Sequence, residues 1–214
     1  MPRPKQQLTR IPGKVRDARL FVIATEDTFA PRQYFRFFDH ERVLVTVLPS
    51  SDGCSNPVSV VQKLTEYARD FQLGDEDQLW ALIDTDHWIQ PNHKKGLLDA
   101  INDARQRGFR VAMSNPCFDL WLLLHHEDIA KGTAFEDCKA VGTRIRELKG
   151  EFNKTNLKAE HYPVAQVIMA ITRARAMESK PDEVAVDFWP EATGTRVYLL
   201  MEELKKAGLL RGTS

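Results

Sequence analysis

The sequence predicts an α/β protein: a parallel sheet of about four strands sandwiched by helices, followed by a helical, basic C-terminal portion. Three observations carry this. Four short apolar runs, at 18–25, 42–49, 79–84 and 109–114, alternate with stretches whose apolar residues recur at helical spacing. The runs are apolar almost throughout, as strands covered on both faces are, and strand–helix units in succession pack as parallel sheets. After residue 130 no further strand of that kind appears, and two amphipathic helical patterns follow.

The opening 17 residues read as a flexible basic arm. "ARLFVIAT" (18–25) is the first strand, and "PRQYFRFF" follows as a helix, with Pro31 suited to its first turn. "RVLVTVLP" (42–49) is the second strand, trailed by a loop with Asp52, Gly53 and Asn56. Val60, Val61, Leu64, Tyr67, Ala68 and Phe71 mark a helix within 57–72. "LWALID" (79–84) is the third strand. Leu97, Leu98, Ile101 and Ala104 support a helix over 91–107 that Gly108 stops. "FRVAMS" (109–114) is the fourth strand and leads into an apolar helix, "CFDLWLLLHH". Helices over 134–149 and 161–178 follow, then a short strand or turn in "EVAVDFWP" and a last helix over 195–207. The expected division is a 1–17 arm, an 18–130 core and a mainly helical 131–214 extension packed on it.

Of the 214 residues, 43% are hydrophobic and 28% charged, which excludes a disordered chain and suits one core. The longest apolar run, "LWLLL", is far too short for a bilayer, and the polar, basic start lacks a signal-peptide core. Cys54, Cys117 and Cys138 form no CxxC pair, so the expectation is a reduced cytoplasmic protein without structural disulfide or zinc. The net charge of zero divides unevenly: +5 over 1–19, −8 over 20–138, +5 over 139–180 and −2 beyond. An acidic centre between basic segments suits a metal site with an anionic polymer held around it, or merely solvated helix faces beside a free arm.

Ligands in open parallel sheets bind at the carboxyl ends of the strands. There the first strand presents Glu26, the third Asp84 and Asp86, and the fourth Ser114 and Asn115. Asp84 and Asp86, two apart on an extended chain, face the same side at roughly 6–7 Å, so a cation or open water must offset their repulsion. Three carboxylates on one edge favour Mg²⁺ or Mn²⁺ over zinc. D-x-D is equally a turn or cap sequence, and Glu26–Asp27 suits the dipole of a starting helix. His87 is set to face solvent or pack under Trp88, with the metal site as the lesser alternative, and His125 and His126 to meet the C-terminus of their helix. In "SNPCFDLWLLLHHE", Ser114 or Asn115 caps a helix with Pro116 in its first position, and the same helix start at a sheet edge suits phosphate.

Glu26 with Tyr34 and Phe35 downstream, then Asp84 and Asp86, then "SNPCFDLWLLLHHE" resembles the RloB-like proteins, Toprim-related and encoded near restriction and abortive-infection genes. The Asn-Pro-x-Phe-acidic-Leu-Trp run is the most specific part, and the likeness extends loosely over 18–130. The resemblance implies a Toprim-like fold and Mg²⁺-dependent phosphoryl chemistry. It makes Glu26 a general acid/base or first metal ligand, and Asp84 and Asp86 metal ligands. The family pattern around strand one, C-E-G-x-x-T-E-P, here reads "ATEDTFAP": Asp27 replaces the glycine and Ala30 stands where a second glutamate would lie. That weighs against a two-ion scheme.

The leading expectation is therefore a metal-dependent nuclease (phosphodiester hydrolysis) on RNA or DNA, an effector of prokaryotic antiviral defence. Arg144, Arg146, Arg173 and Arg175 are its candidate backbone-holding residues. The alternative is a non-catalytic sensor or adaptor that binds a nucleotide or an AAA/ABC-type ATPase, the chain itself lacking GxxxxGK[ST]. A D-x-D sugar-nucleotide transferase is a weaker third. A topoisomerase lacks room for a strand-passage domain, and a primase its zinc module.

Overall fold

The computed structural model describes residues 18–38, 40–48, 56–85, 91–178 and 192–210. Five strands run β1 (Arg19–Thr25), β2 (Val43–Leu48), β3 (Gln78–Asp84), β4 (Arg110–Asn115) and β5 (Gly194–Thr195). The described helices are α1 (Ala30–Arg36), α2 (Pro57–Asp70), α3 (Pro91–Gln106), α4 (Asp119–Leu123), α5 (Cys138–Lys149), α6 (Val164–Met177) and α7 (Val197–Ala207). The sheet order is β2-β1-β3-β4-β5, parallel through β4, with the two-residue β5 antiparallel at the edge. The fold is α/β, as the apolar runs predict and in keeping with a Toprim-like sheet.

The alternation of side chains along each strand sorts the core into two layers. Phe21 and Ile23 of β1, Trp80 and Leu82 of β3 and Ala112 of β4 join one cluster with residues of α1, α4, α5, α6 and α7. Leu20, Val22, Ala24, Leu79, Ala81, Ile83 and Met113 join the other, under α2 and α3. Residues of the expected extension, among them Val141, Ile145, Val167 and Tyr198, share the first cluster with Phe21 and Ile23. Local signals start and stop the helices. Asn56 accepts from the Ser59 amide at 2.9 Å ahead of Pro57, and Asp137 accepts from the Ala140 amide at 2.8 Å. Gly150 and Gly208, at φ of 78° and 104°, end α5 and α7 in the left-handed conformation.

Three expectations need correction. α4 is a five-residue helix, not the ten of "CFDLWLLLHH"; residues 124–126 form a turn. Ser114 and Asn115 do not cap α4, because both belong to β4 and α4 starts after Phe118, which makes no side-chain cap. Cys117 and Cys138 are joined as a disulfide, Cα atoms 5.8 Å apart, where none was expected. The arm (1–17), Asp52, Gly53, Cys54, Asp86, His87 and "EVAVDFWP" (183–190) lie outside the described residues.

Candidate functional site

Strand order places the site. β1 continues outward to β2 on one side, and β3 and β4 lie on its other side, so the chain's direction across the sheet reverses between β1 and β3. Loops leaving adjacent strands at such a point diverge to opposite faces and open a crevice at the carboxyl edge. Thr25 pairs with Leu82, which brings Glu26, buried to 9% exposure, and the half-buried Asp84 to that edge from neighbouring strands.

Asp84 Oδ1 accepts from the Phe118 amide at 2.9 Å. The Thr85 amide donates to the carbonyls of Ser114 (2.9 Å) and Pro116 (3.0 Å), fastening the end of β3 to the turn after β4. The Phe118 amide is thereby committed to Asp84. Ser114 and Asn115 instead tie the edge to β5: the Ser114 and Thr195 hydroxyls meet at 2.7 Å, and Asn115 Nδ2 donates to the Ala192 carbonyl at 3.1 Å.

Two residues without an assigned role in the sequence reading complete the edge. Asp119, at the start of α4, is fully buried, and the Lys154 ammonium lies 3.0 Å from its Oδ2. The same ammonium lies 3.4 Å from Asp27 Oδ2, while Asp27 Oδ1 accepts from the Phe29 (2.7 Å) and Ala30 (3.1 Å) amides. Gln33 of α1 sets that lysine by accepting from the Leu157 amide at 2.9 Å and donating to the Lys154 carbonyl at 2.5 Å. Burial by itself lowers the Lys154 pKa, but Asp119, Asp27 and Asp84 together raise it above its ordinary value. Burial lifts Asp119 from 3.8 to about 6, with Lys154 opposing and Asp27 adding to the rise. Among the described residues the edge is thus an acidic cluster that holds the Lys154 ammonium. Asp119 stands in the most specific stretch of the sequence, whereas nothing in "GEFNKTN" marks Lys154.

Behind the edge, His125 is buried and neutral. Its Nδ1 donates to the Trp121 carbonyl at 2.9 Å, leaving Nε2 to accept from the Tyr34 hydroxyl at 3.1 Å. Burial pulls its pKa down to about 3.

Glu26, just past β1, and Asp84, at the end of β3, offer hard oxygen donors, the type that suits Mg²⁺ or Mn²⁺. Asp27 and Asp119 are engaged with backbone amides and with Lys154, so they add little to that set. Sulfur lies close by: one Asp84 oxygen and the Sγ atoms of Cys117 and Cys138 all fall within 4.8 Å of one another.

The four arginines separate. Arg144 is held by Glu127, with Nε to Oε2 at 2.8 Å, and by Glu147 at 2.9 Å. Arg173 donates to the Leu124 carbonyl at 2.7 Å, and Arg175 pairs with Glu202 while lying over the Tyr198 ring. Arg146 is exposed on α5. Among the described residues, no helix is long and apolar enough to cross a membrane.

An α/β sheet with an acidic carboxyl edge at its switch point defines the class. The family model described as RloB-like protein matches residues 21–204, most of the chain, and the protein belongs to that family. No curated protein and no solved structure matches it.

Proposed function

We propose that the carboxyl edge is a Mg²⁺- or Mn²⁺-dependent site that hydrolyses phosphodiesters of RNA or DNA, as a cytoplasmic effector of prokaryotic antiviral defence by abortive infection. The observation that carries this reading is Glu26 and Asp84 at the carboxyl ends of the neighbouring strands β1 and β3, at the topological switch point of an RloB-like chain. Glu26 and Asp84, with Asp86, are the residues that would hold the ion. When bound, the ion would supply Lewis-acid charge to the scissile phosphate. In this reading Glu26 also accepts a proton from the attacking water. Lys154, anchored by Asp119, contributes fixed positive charge to the same edge. Arg146 is the exposed candidate for holding the nucleic-acid backbone.

Total RNA and plasmid DNA incubated with Mg²⁺, Mn²⁺ or EDTA, beside Glu26→Ala, test this. Metal-dependent cleavage lost in the variant is expected; cleavage that persists in EDTA or in Glu26→Ala refutes it.

A second reading has its own observation. Lys154 already neutralises part of the acidic cluster, as in a site that binds without cutting. The protein would then be a sensor or adaptor for an AAA- or ABC-type ATPase. Mg²⁺ binding without cleavage, together with co-purification of such an ATPase, supports that alternative.

A further inference from the structure

Two sulfurs stand where an oxygen-only site has none. Buried Cys117 sits in the turn after β4, half-buried Cys138 opens α5, and Asp84 ends β3. Their ligand atoms all lie within 4.8 Å of one another, although three separate parts of the chain supply them. Each part is fixed by its own contacts: Asp84 by the Phe118 amide, the turn by the Thr85 amide, and α5 by its Asp137 cap.

We propose that, once the Cys117–Cys138 bond is reduced, Asp84, Cys117 and Cys138 hold one Zn²⁺ ion with its fourth position open. Thiolates are soft donors that select zinc over Mg²⁺, which takes oxygen almost exclusively. Zn–S bonds of about 2.3 Å in a tetrahedron set two sulfurs about 3.8 Å apart, and cysteines with Cα atoms 5.8 Å apart reach that spacing by side-chain rotation. Three protein ligands and an open position characterise zinc that exchanges a water or substrate rather than zinc that only braces a fold. Two thiolates and a carboxylate exceed the charge of the ion by one, and Lys154, which already feels the Asp84 charge, offsets the excess.

The bonded and metal-bound states exclude each other. A dithiol reductant gives two electrons and two protons to the Cys117 and Cys138 sulfurs and becomes a disulfide itself. Zinc then displaces both thiol protons. Zinc loading therefore follows the thiol state of the surroundings, and it competes with Mg²⁺ for Asp84. The inference is independent of the nuclease reading, since it concerns which ion binds and not what is cut.

The full chain, reduced with a water-soluble phosphine and stripped by chelator, is titrated with Co²⁺ and then Zn²⁺. One equivalent of cobalt should give thiolate-to-metal absorption in the near ultraviolet, displaced by one equivalent of zinc. Cys117→Ser and Cys138→Ser should each abolish the band and Cys54→Ser should keep it, while Asp84→Asn weakens zinc binding about tenfold or more. The oxidised wild-type chain, which needs no substitution to remain folded, should show no thiolate-to-cobalt band. A reduced, folded chain without the band overturns the proposal. So does a band in the oxidised chain, one that survives Cys117→Ser, or one lost in Cys54→Ser. Loss of Mg²⁺-dependent cleavage moves none of these readings.

Discussion

Replacing Asp119 by asparagine should remove a pH dependence of stability whose sign and size follow from its surroundings. The Asp119 side chain is fully buried, and among the described residues its oxygens take no hydrogen bond beyond the Lys154 ion pair. Desolvation therefore wins over the lysine, and the pKa rises from 3.8 to about 6. The folded protein keeps a proton that the unfolded chain releases between about pH 4 and pH 6. Stability from the protonated group is full below pH 4 and lost as pH rises through 6. At about 1.4 kcal/mol per pH unit, the loss is about 3 kcal/mol. Denaturant titrations of both proteins at pH 4, 5, 6 and 7 read this directly. Groups the two share, such as buried His125, largely drop out of the difference. The stability of wild type minus that of Asp119→Asn should fall by about 2.4 kcal/mol between pH 4 and pH 7, the rest of the loss lying below pH 4. A flat difference, or one that grows with pH, would mean that the ion pair governs Asp119 and would refute the reasoning.

Tyr34→Phe removes the donor to His125 Nε2 inside a buried aromatic cluster and should cost about 1–2 kcal/mol in denaturant titrations; an unchanged midpoint contradicts the bond's role. If the chain binds nucleic acid through α5, Arg146→Ala should flatten the plot of log affinity against log salt by about one unit. Arg144→Ala, which breaks contacts to Glu127 and Glu147, should flatten it much less. Equal slopes for the two variants would count against the exposed arginine.

The strands were legible because burial on both faces forces unbroken apolar runs, and β1 to β4 begin and end within a residue or two of where those runs do. Helices with one wet face were legible for the same reason, through Leu97, Ile101 and Ala104 or Val60, Val61 and Leu64. α4 was overextended because every residue from Cys117 to Leu124 is buried, which erases the periodicity that would mark its end. β5 is only two residues long and carries no pattern of its own.

The edge was half legible. Glu26 and Asp84 follow from strand ends, a local signal. Lys154 reaches Asp119 and Asp27 only because Gln33, 121 residues earlier, anchors its backbone, and no local pattern records such a contact. Cys117 and Cys138, 21 residues apart, are likewise brought together by packing and not by spacing. Arg144 looked available because its chain neighbourhood is basic, whereas Glu127, 17 residues earlier, holds it.

The most direct test of a hard-metal site at the carboxyl edge is electron paramagnetic resonance of Mn²⁺ mixed with the reduced protein, with zinc excluded by chelation beforehand. The wild-type chain should quench the free-ion signal with one site per chain that Mg²⁺ competes for, and Glu26→Ala and Asp84→Ala should each restore the signal. Quenching that persists in both folded variants, or none in the wild-type chain, would contradict the account.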